Sequence, residues 1–182
     1  MNKVERPQAV PPVGVAFLLS QVGAHAADAF EEQLAAMELK PHHAGLLRML
    51  GANPGLSQQE LSDLFGVFPS RLVLLLDQLE TRGLIERRDH RSDRRSYRLH
   101  VTSAGRQALA RIGRLTGKLE NDLCGSLSDA ERKTLTSLLE RIVRHRNFRP
   151  AVHPAYRKLQ ASTQRRHKSA AKKKQGRIAK RR

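Results

Sequence analysis

The fold is decided between residues 57 and 105, which read SQQELSDLFGVFPSRLVLLLDQLETRGLIERRDHRSDRRSYRLHVTSAG. Ser57 and Glu60 have the spacing of a capping box, which predicts the start of a short helix that the next glycine ends. Pro69 suits the first position of another helix, in which leucines recur at i, i+3, i+4 and i+7 as far as Gly83. Two short helices separated by about four residues are typical of a helix-turn-helix.

The hydrophobic period changes from helical to alternating after Gly83. Residues 84–88 and 97–101 read as two short strands, and the segment 89–96 between them is polar and rich in arginine. A connection of this length excludes a tight two-residue turn. The pattern therefore predicts a hairpin with a long tip, a wing over about residues 84–101.

Helical patterns flank this region on both sides. Apolar residues at helical spacing predict a first helix over 13–37 and a second from Pro41 to the Asn-Pro-Gly turn at 53–55. A fifth helix begins near Thr102, and a capping box at 128–131 begins a sixth that runs to about residue 147. The predicted fold is mainly α with a small β-hairpin wing, a winged helix-turn-helix with long N- and C-terminal helices.

The charge of the chain is unevenly spread. Its net charge is +17, but residues 149–182 hold 13 of the 34 lysines and arginines and no acidic residue, which leaves residues 1–148 at +4. Such a balance favours polyanionic partners such as nucleic acid. Residues 149–182 contain few core-forming side chains and residues 1–12 are polar, so both are predicted to be disordered around one folded domain, 13–148.

The cellular compartment follows from what the sequence lacks. The single cysteine, Cys124, excludes an internal disulfide, and no apolar run reaches the ~18 residues of a membrane-spanning helix. The N-terminal residues carry no apolar signal core. We therefore expect a cytoplasmic, nucleoid-associated protein with no membrane contact.

Three motifs in this order resemble the MarR family, the multiple-antibiotic-resistance regulators of bacterial transcription. They are SQQEL at 57–61, DQLETRGLIER at 77–87, and SDRR at 92–95 followed by LHVTSAG at 99–105. The resemblance covers roughly residues 13–143. It implies a homodimer that binds double-stranded DNA, commonly as a repressor, and that a small effector releases.

A helix lying in the major groove buries one face on its own domain and presents the other to base edges. Arg71, near the start of the fourth helix, is a candidate for a guanine contact or, alternatively, a phosphate clamp without sequence information. The apolar Val73 and Leu74 depart from the more polar residues of many family members, which indicates contact with thymine methyl groups or reliance on DNA shape. The predicted DNA-contacting residues are Ser57, Ser70, Arg71, Val73, Leu74, Gln78, Arg87, Arg88, Arg91, Asp93, Arg94 and Arg95.

The resemblance gives the wing a specific role. It implies that Asp93 orients Arg95, whose guanidinium enters the minor groove, where arginine reads narrow A·T tracts. The alternative is a solvated charge cluster on a loop. The concentration of arginines beside a helix-turn-helix favours DNA contact.

The first, fifth and sixth helices have no obvious partner within a small winged domain. The resemblance implies that their apolar stripes form a dimer interface, with two recognition helices about one DNA turn, roughly 34 Å, apart on a pseudo-palindromic operator. The alternative is an elongated monomer. The predicted dimerisation residues are Phe17, Leu18, Leu115, Leu119, Leu135, Leu138, Leu139 and Ile142.

Three histidines lie near the position where family members hold phenolic or lipophilic effectors. His25, His42 and His43 are candidate pocket residues, and the alternative is ordinary polar surface on a helix. Cys124, late in the fifth helix, is interpreted as a buried, inert thiol. The chain lacks the paired histidines that zinc-binding relatives carry on the fifth helix, so no metal is expected, and neither is a cofactor or an enzymatic activity.

Three functions remain in competition. The first is an operator-specific regulator, usually a repressor, released by a small ligand. The second is a largely non-specific architectural DNA-binding protein that uses the basic tail. The third is a redox or metal sensor acting through Cys124 or the histidines.

Overall fold

The order of secondary structure agrees with the prediction, four helices, a hairpin and two helices. The computed structural model describes residues 13–89 and 97–148, and the predicted disordered segments 1–12 and 149–182 lie outside them. The elements are α1 (Val15–Ala35), α2 (Pro41–Ala52), α3 (Gln58–Phe65), α4 (Pro69–Thr81), β1 (Ile85–Asp89), β2 (Tyr97–Val101), α5 (Ser103–Leu123) and α6 (Asp129–His145).

A reciprocal cap and a tight turn set the angle between α3 and α4. The Ser57 hydroxyl accepts from the Glu60 backbone N–H at 3.2 Å, and the Glu60 carboxylate accepts from the Ser57 N–H at 2.7 Å. The bond from the Ser57 N–H, with a smaller contribution from Arg98, lowers the pKa of Glu60. Gly66 ends α3 in the left-handed region at φ +60°, and the buried Ser62 hydroxyl donates to the Val67 carbonyl at 2.6 Å.

The core lies under the helix-turn-helix. The leucines predicted to face inward from α4 are buried, and Phe65 of α3 is among the largest fully buried side chains. They pack with the C-terminal end of α1, with α2 and with the wing strands. The cluster comprises Leu34, Leu39, Ala44, Leu46, Leu47, Leu50, Leu61, Phe65, Val67, Leu72, Leu75, Leu76, Leu79, Ile85, Leu99, Val101 and Ile112.

The wing is a two-stranded antiparallel sheet in which Ile85 pairs with Val101 and Asp89 with Tyr97. The sequence did not predict a further backbone pairing, in which the segment before α3 joins β2. The Leu99 N–H donates to the Leu56 carbonyl at 3.0 Å and its carbonyl accepts from the Gly55 N–H at 3.0 Å. These bonds attach the wing to the start of the helix-turn-helix.

Gly105 allows α5 to begin directly against the wing. Thr102 caps the helix, accepting from the Gly105 N–H at 3.0 Å and donating to the Gly83 carbonyl at 2.6 Å. A Cβ at position 105 would lie 2.0 Å from the Leu84 carbonyl oxygen. The threonine-x-x-glycine motif is therefore a junction that only glycine fits without backbone movement.

The long helices leave much apolar surface uncovered. Large apolar side chains in the first half of α1 and along α6 are exposed, and α6 buries none of its residues within the described chain. None of the described helices is both long enough and apolar enough to cross a membrane.

Candidate nucleic-acid interface

The solvent face of α4 is narrow and carries little charge. Ser70, Leu74, Gln78 and Thr81 are exposed at i, i+4, i+8 and i+11, with the half-buried Asp77 between them at i+7. The Leu74 side chain, 53% exposed, stands near the middle of this face. The predicted contacts Ser70 and Leu74 therefore lie on the outer side of the helix, whereas Val73 is half-buried on its flank.

Arg71 lies partly against the domain. The residue is half-buried, and its Nε is buried with no hydrogen-bond acceptor among the described residues. Pro69 and Ser70 before it are exposed at the start of the helix. Proline has no N–H and the Arg71 N–H donates to the Phe68 carbonyl at 2.9 Å, which leaves the Ser70 N–H as the group without a partner inside the helix. A phosphate oxygen is the ligand that such a helix start favours.

Arg87 of β1 makes ion pairs with α4, the second helix of the helix-turn-helix. Its guanidinium lies 2.6 Å from the Asp77 carboxylate and also contacts the Glu80 carboxylate, and its side chain is only 23% exposed. Arg87 is one of the residues predicted from the sequence to contact DNA. The structure instead commits its guanidinium to two acidic side chains of α4, whose charge it offsets beside the candidate DNA-facing surface.

Other residues predicted to contact DNA, and Arg98 of β2, make contacts within the domain. Arg98 donates to the Glu60 carboxylate at 3.0 Å and to the Gly55 carbonyl at 3.2 Å. Arg88 contacts Glu86 at 2.5 Å but stays well exposed. Ser57 is occupied as the cap of α3. The predicted contacts at the tip, Arg91, Asp93, Arg94 and Arg95, lie outside the described residues.

Gln78 is directed toward α2. Its Oε1 lies 2.9 Å from Nε2 of His43, while Nδ1 of His43 accepts from the Lys40 backbone N–H at 3.3 Å. An acceptor at Nδ1 places the ring proton on Nε2, which therefore donates to Gln78. Burial lowers the pKa of His43, Gln78 opposes this shift, and the charges of Arg82 and Lys40 add to it.

Arg82 forms a second tie on the same side of α4. It follows Gln78 by four residues, and its guanidinium donates to the Met37 carbonyl at 2.8 Å and to the Glu38 carbonyl at 2.5 Å. Glu38 adopts a left-handed backbone at φ +52°. The contact of Arg82 with these carbonyls was not predicted from the sequence. The local signal for it is the i, i+4 spacing of Gln78 and Arg82 beside the leucine stripe.

The candidate effector histidines separate into two environments. His25 is exposed on α1, whereas His42 and His43 are buried, so the alternative of ordinary surface is wrong for this pair. Their rings meet edge to face at 4.4 Å. A groove of about 520 Å³ lies on another side of α2, against α5, and its lining includes Arg48, Met49, Arg106 and Leu109.

The predicted dimerisation residues line up on uncovered helix faces. Phe17 and Leu18 of α1 are exposed, and Leu115 and Leu119 of α5 are half-buried. On α6, Leu135, Leu138 and Ile142 are exposed and Leu139 is half-buried. A groove of about 740 Å³ runs between α1 and α6, and Val15 and Leu19 form its α1 wall.

Cys124 is half-buried at the C-terminal cap of α5, so the expectation of a buried thiol is wrong. Within residues 13–89 and 97–148 there is no group of three or more His, Cys, Asp or Glu side chains that could hold a metal ion.

A helix-turn-helix with a two-stranded wing attached to its second helix defines the class of winged helix-turn-helix DNA-binding proteins. The sequence profile of the MarR family matches residues 38–96. A transcriptional repressor, CouR, solved bound to a 23-mer DNA duplex, is 34% identical, with a TM-score of 0.63 over 71% of this chain and 92% of that one. This chain belongs to the MarR family of transcriptional regulators, a family of non-enzymatic proteins.

Two further relatives are similar to this chain, one in sequence and one in fold. A Thauera aromatica protein named for transcriptional regulation of the hcr operon is 45% identical over 107 residues, 59% of this chain and 64% of that protein. The match thus spans less than two thirds of that relative. A MarR variant from E. coli crystallised with operator DNA is 22% identical, with a TM-score of 0.60 over 71% of this chain and 93% of that one, and shows the same fold.

Proposed function

We propose that this protein is an operator-specific transcriptional repressor that binds a pseudo-palindromic DNA site as a homodimer. The observation that carries the proposal is the exposed face of α4, which a helix-turn-helix, a wing and an Arg87 ion-pair cluster hold in place. CouR supports it because that repressor was solved on a DNA duplex and shares 34% of its residues with this chain.

Genomic footprinting tests the operator-specific part. We expect a few sharp protected sites, each a pseudo-palindrome with half-sites about 10 base pairs apart from centre to centre. Transcription from the adjoining promoter should rise when the protein is removed. Broad protection without preferred sites would instead support the architectural alternative, and a fall in transcription would contradict the repressor role.

The dimer part rests on the groove between α1 and α6. Apolar side chains of both helices line it, and a soluble monomer rarely leaves a large contiguous apolar surface exposed. Replacing Leu138 and Leu139 with Asp should give a monomer that loses the palindromic footprint, because each aspartate would be desolvated in the interface. Ser137→Asp is the matched control, since Ser137 is exposed on the opposite side of α6.

Analytical ultracentrifugation at micromolar concentration supplies the readout, and circular dichroism checks that both variants are helical. A parent chain that sediments as a monomer and still protects a palindrome contradicts the dimer. So does a Leu138→Asp/Leu139→Asp variant that sediments like the Ser137→Asp control.

The effector part rests on the polar tie between α2 and α4. His43 of α2 is buried and bonded to Gln78 of the recognition helix, so a ligand that displaces either partner acts directly on the helix that faces DNA. A panel of phenolic acids and lipophilic acyl compounds, tested for release of a fluorescent operator, examines this part. If a compound releases the operator from the parent chain but not from a His43→Gln variant, the effector proposal is supported. If no compound releases the operator, the effector proposal is contradicted.

A further inference from the structure

Three large apolar side chains of the helix-turn-helix are exposed, in addition to those of α1 and α6. Leu74 of α4 is 53% exposed, Phe68 at the cap of α4 is 49% exposed, and Leu64 near the end of α3 is 45% exposed. The other leucines of α3 and α4, Leu61, Leu72, Leu75, Leu76 and Leu79, are buried in the core. The domain therefore leaves these three side chains outside a core that accommodates their neighbours.

The polar side chains beside Leu74 are engaged elsewhere. Three residues later, the Asp77 carboxylate is paired with Arg87, and the following Gln78 gives its Oε1 to His43 on α2. After Pro69, the exposed side chains of α4 are the Ser70 hydroxyl one turn before Leu74, Leu74 itself, Gln78 one turn after it and Thr81 about two turns after it. The centre of the recognition face is a branched aliphatic side chain.

The major groove offers one apolar group at the base edges, the 5-methyl group of thymine. An aliphatic side chain placed against guanine O6 and N7 or against the amino group of cytosine would bury those polar atoms without a partner, which is unfavourable. Against a thymine methyl, the same side chain buries apolar surface on both partners.

We propose that Leu74 reads the 5-methyl groups of thymine in each operator half-site. This inference rests on the proposed operator-binding function and specifies which chemical group in the site the recognition helix selects. The group that contacts Leu74 in this proposal is methyl-bearing DNA and not a protein partner. Specificity at these positions comes from apolar contact more than from a donor and acceptor pattern.

Uracil substitution tests the proposal on the DNA side, where protein folding plays no part. Duplexes of the footprinted operator are made with deoxyuridine in place of single thymidines, which removes one methyl group and keeps the base pair. Fluorescence anisotropy at fixed salt should show about a fourfold rise in Kd at one or two thymine positions per half-site. This is the loss of affinity expected when one methylene-sized group is no longer buried. Substituting both half-sites should give about a 15-fold rise.

A Leu74→Ala variant links the effect to the side chain. It should bind the parent operator more weakly, and its Kd should no longer respond to uracil at the same positions. Thr81→Ala is the matched control, because Thr81 is exposed on the same face about two turns away, and it should keep the full uracil response.

The outcomes separate this inference from the proposed function. Tight, sequence-specific binding with no uracil effect at any position overturns the methyl reading and leaves the regulator intact. A uracil effect that persists in Leu74→Ala also overturns it, because the methyl then acts through DNA shape. If the parent chain self-associates, Leu74→Ala abolishes this association and uracil has no effect, then Leu74 forms a protein contact and the proposal is wrong. If the parent chain shows no sequence-specific binding, the proposed function itself fails.

Discussion

Replacing Arg87 with Ala should weaken DNA binding even though the guanidinium is paired with two carboxylates of α4. The substitution leaves Asp77 and Glu80 on α4 without their shared cation, and their side chains are 49% and 36% exposed. Each subunit then brings one more uncompensated negative charge toward the DNA backbone. At a separation of about 10 Å in a water-like dielectric, one charge and one phosphate repel by roughly 0.4 kcal/mol, and several phosphates lie within a Debye length.

About 1 kcal/mol per subunit is therefore a reasonable magnitude, which for a dimer is about 2 kcal/mol, or roughly a 30-fold rise in Kd. Fluorescence anisotropy with the operator duplex at fixed salt measures it. Thermal unfolding provides the stability control, because the two ion pairs are partly exposed and each should contribute no more than about 1 kcal/mol to folding.

The triple variant Arg87→Ala/Asp77→Asn/Glu80→Gln separates neutralisation from direct contact. It removes the cation and both anions, so each subunit is less negative here than in the parent protein, and binding should return to the parent level or exceed it. The double variant Asp77→Asn/Glu80→Gln, which frees Arg87, should bind more tightly than the parent. If the triple variant stays as weak as Arg87→Ala, Arg87 contacts DNA directly and the neutralisation argument is wrong.

Three further predictions concern the fold, its pH dependence and the basic tail. Gly105→Ala should lower the free energy of unfolding by about 1–3 kcal/mol or more, because the new Cβ meets the Leu84 carbonyl. Gly113→Ala has open space around its Cβ and should stabilise α5 by about 0.5–1 kcal/mol. Similar denaturant midpoints for the two variants would contradict this prediction. Because burial holds the pKa of His43 below its ordinary value of 6.5, the unfolded chain binds the proton more readily, so stability should fall as the pH falls through and below 6.5, and a His43→Gln variant measured by urea unfolding should lose that part of the slope. Deleting residues 149–182 should lower the salt slope of log K by roughly 3–4 per subunit, if about four of the 13 basic charges engage phosphates, while the footprint keeps its boundaries; an unchanged slope would assign the tail to solubility alone.

The sequence predicted the helix boundaries well because the signals that set them are local. The capping boxes at 57–60 and 128–131, the threonine cap before α5 and the prolines at the starts of α2 and α4 each act within one turn of backbone. The first helix was predicted over 13–37 and is observed over Val15–Ala35, a difference confined to its ends. Because helix ends fray, a difference of one or two residues at an end does not distinguish the predicted helix from the observed one.

The candidate site was predicted less completely, because its polar contacts join residues far apart in the sequence. Gln78 was assigned to DNA from its place on the recognition helix, but its Oε1 bonds to His43, 35 residues earlier. Arg87 was assigned to DNA from its charge, but carboxylates seven and ten residues earlier contact it. Helical spacing shows which side chains can leave the core, but it does not show which of them find a partner on a neighbouring element.

The contacts on both flanks of α4 bear on how the protein can respond to a ligand. On one flank Arg87 ties Asp77 to the wing, and on the other Arg82 ties the end of the helix to the carbonyls of Met37 and Glu38, directly after α1. Because α1 also carries exposed apolar residues of the proposed dimer interface, we expect a displacement of α1 relative to the partner subunit to act on the end of α4 through the Arg82 hydrogen bonds. Arg87 joins β1 to α4, so both elements that we propose to contact DNA would move together and not independently.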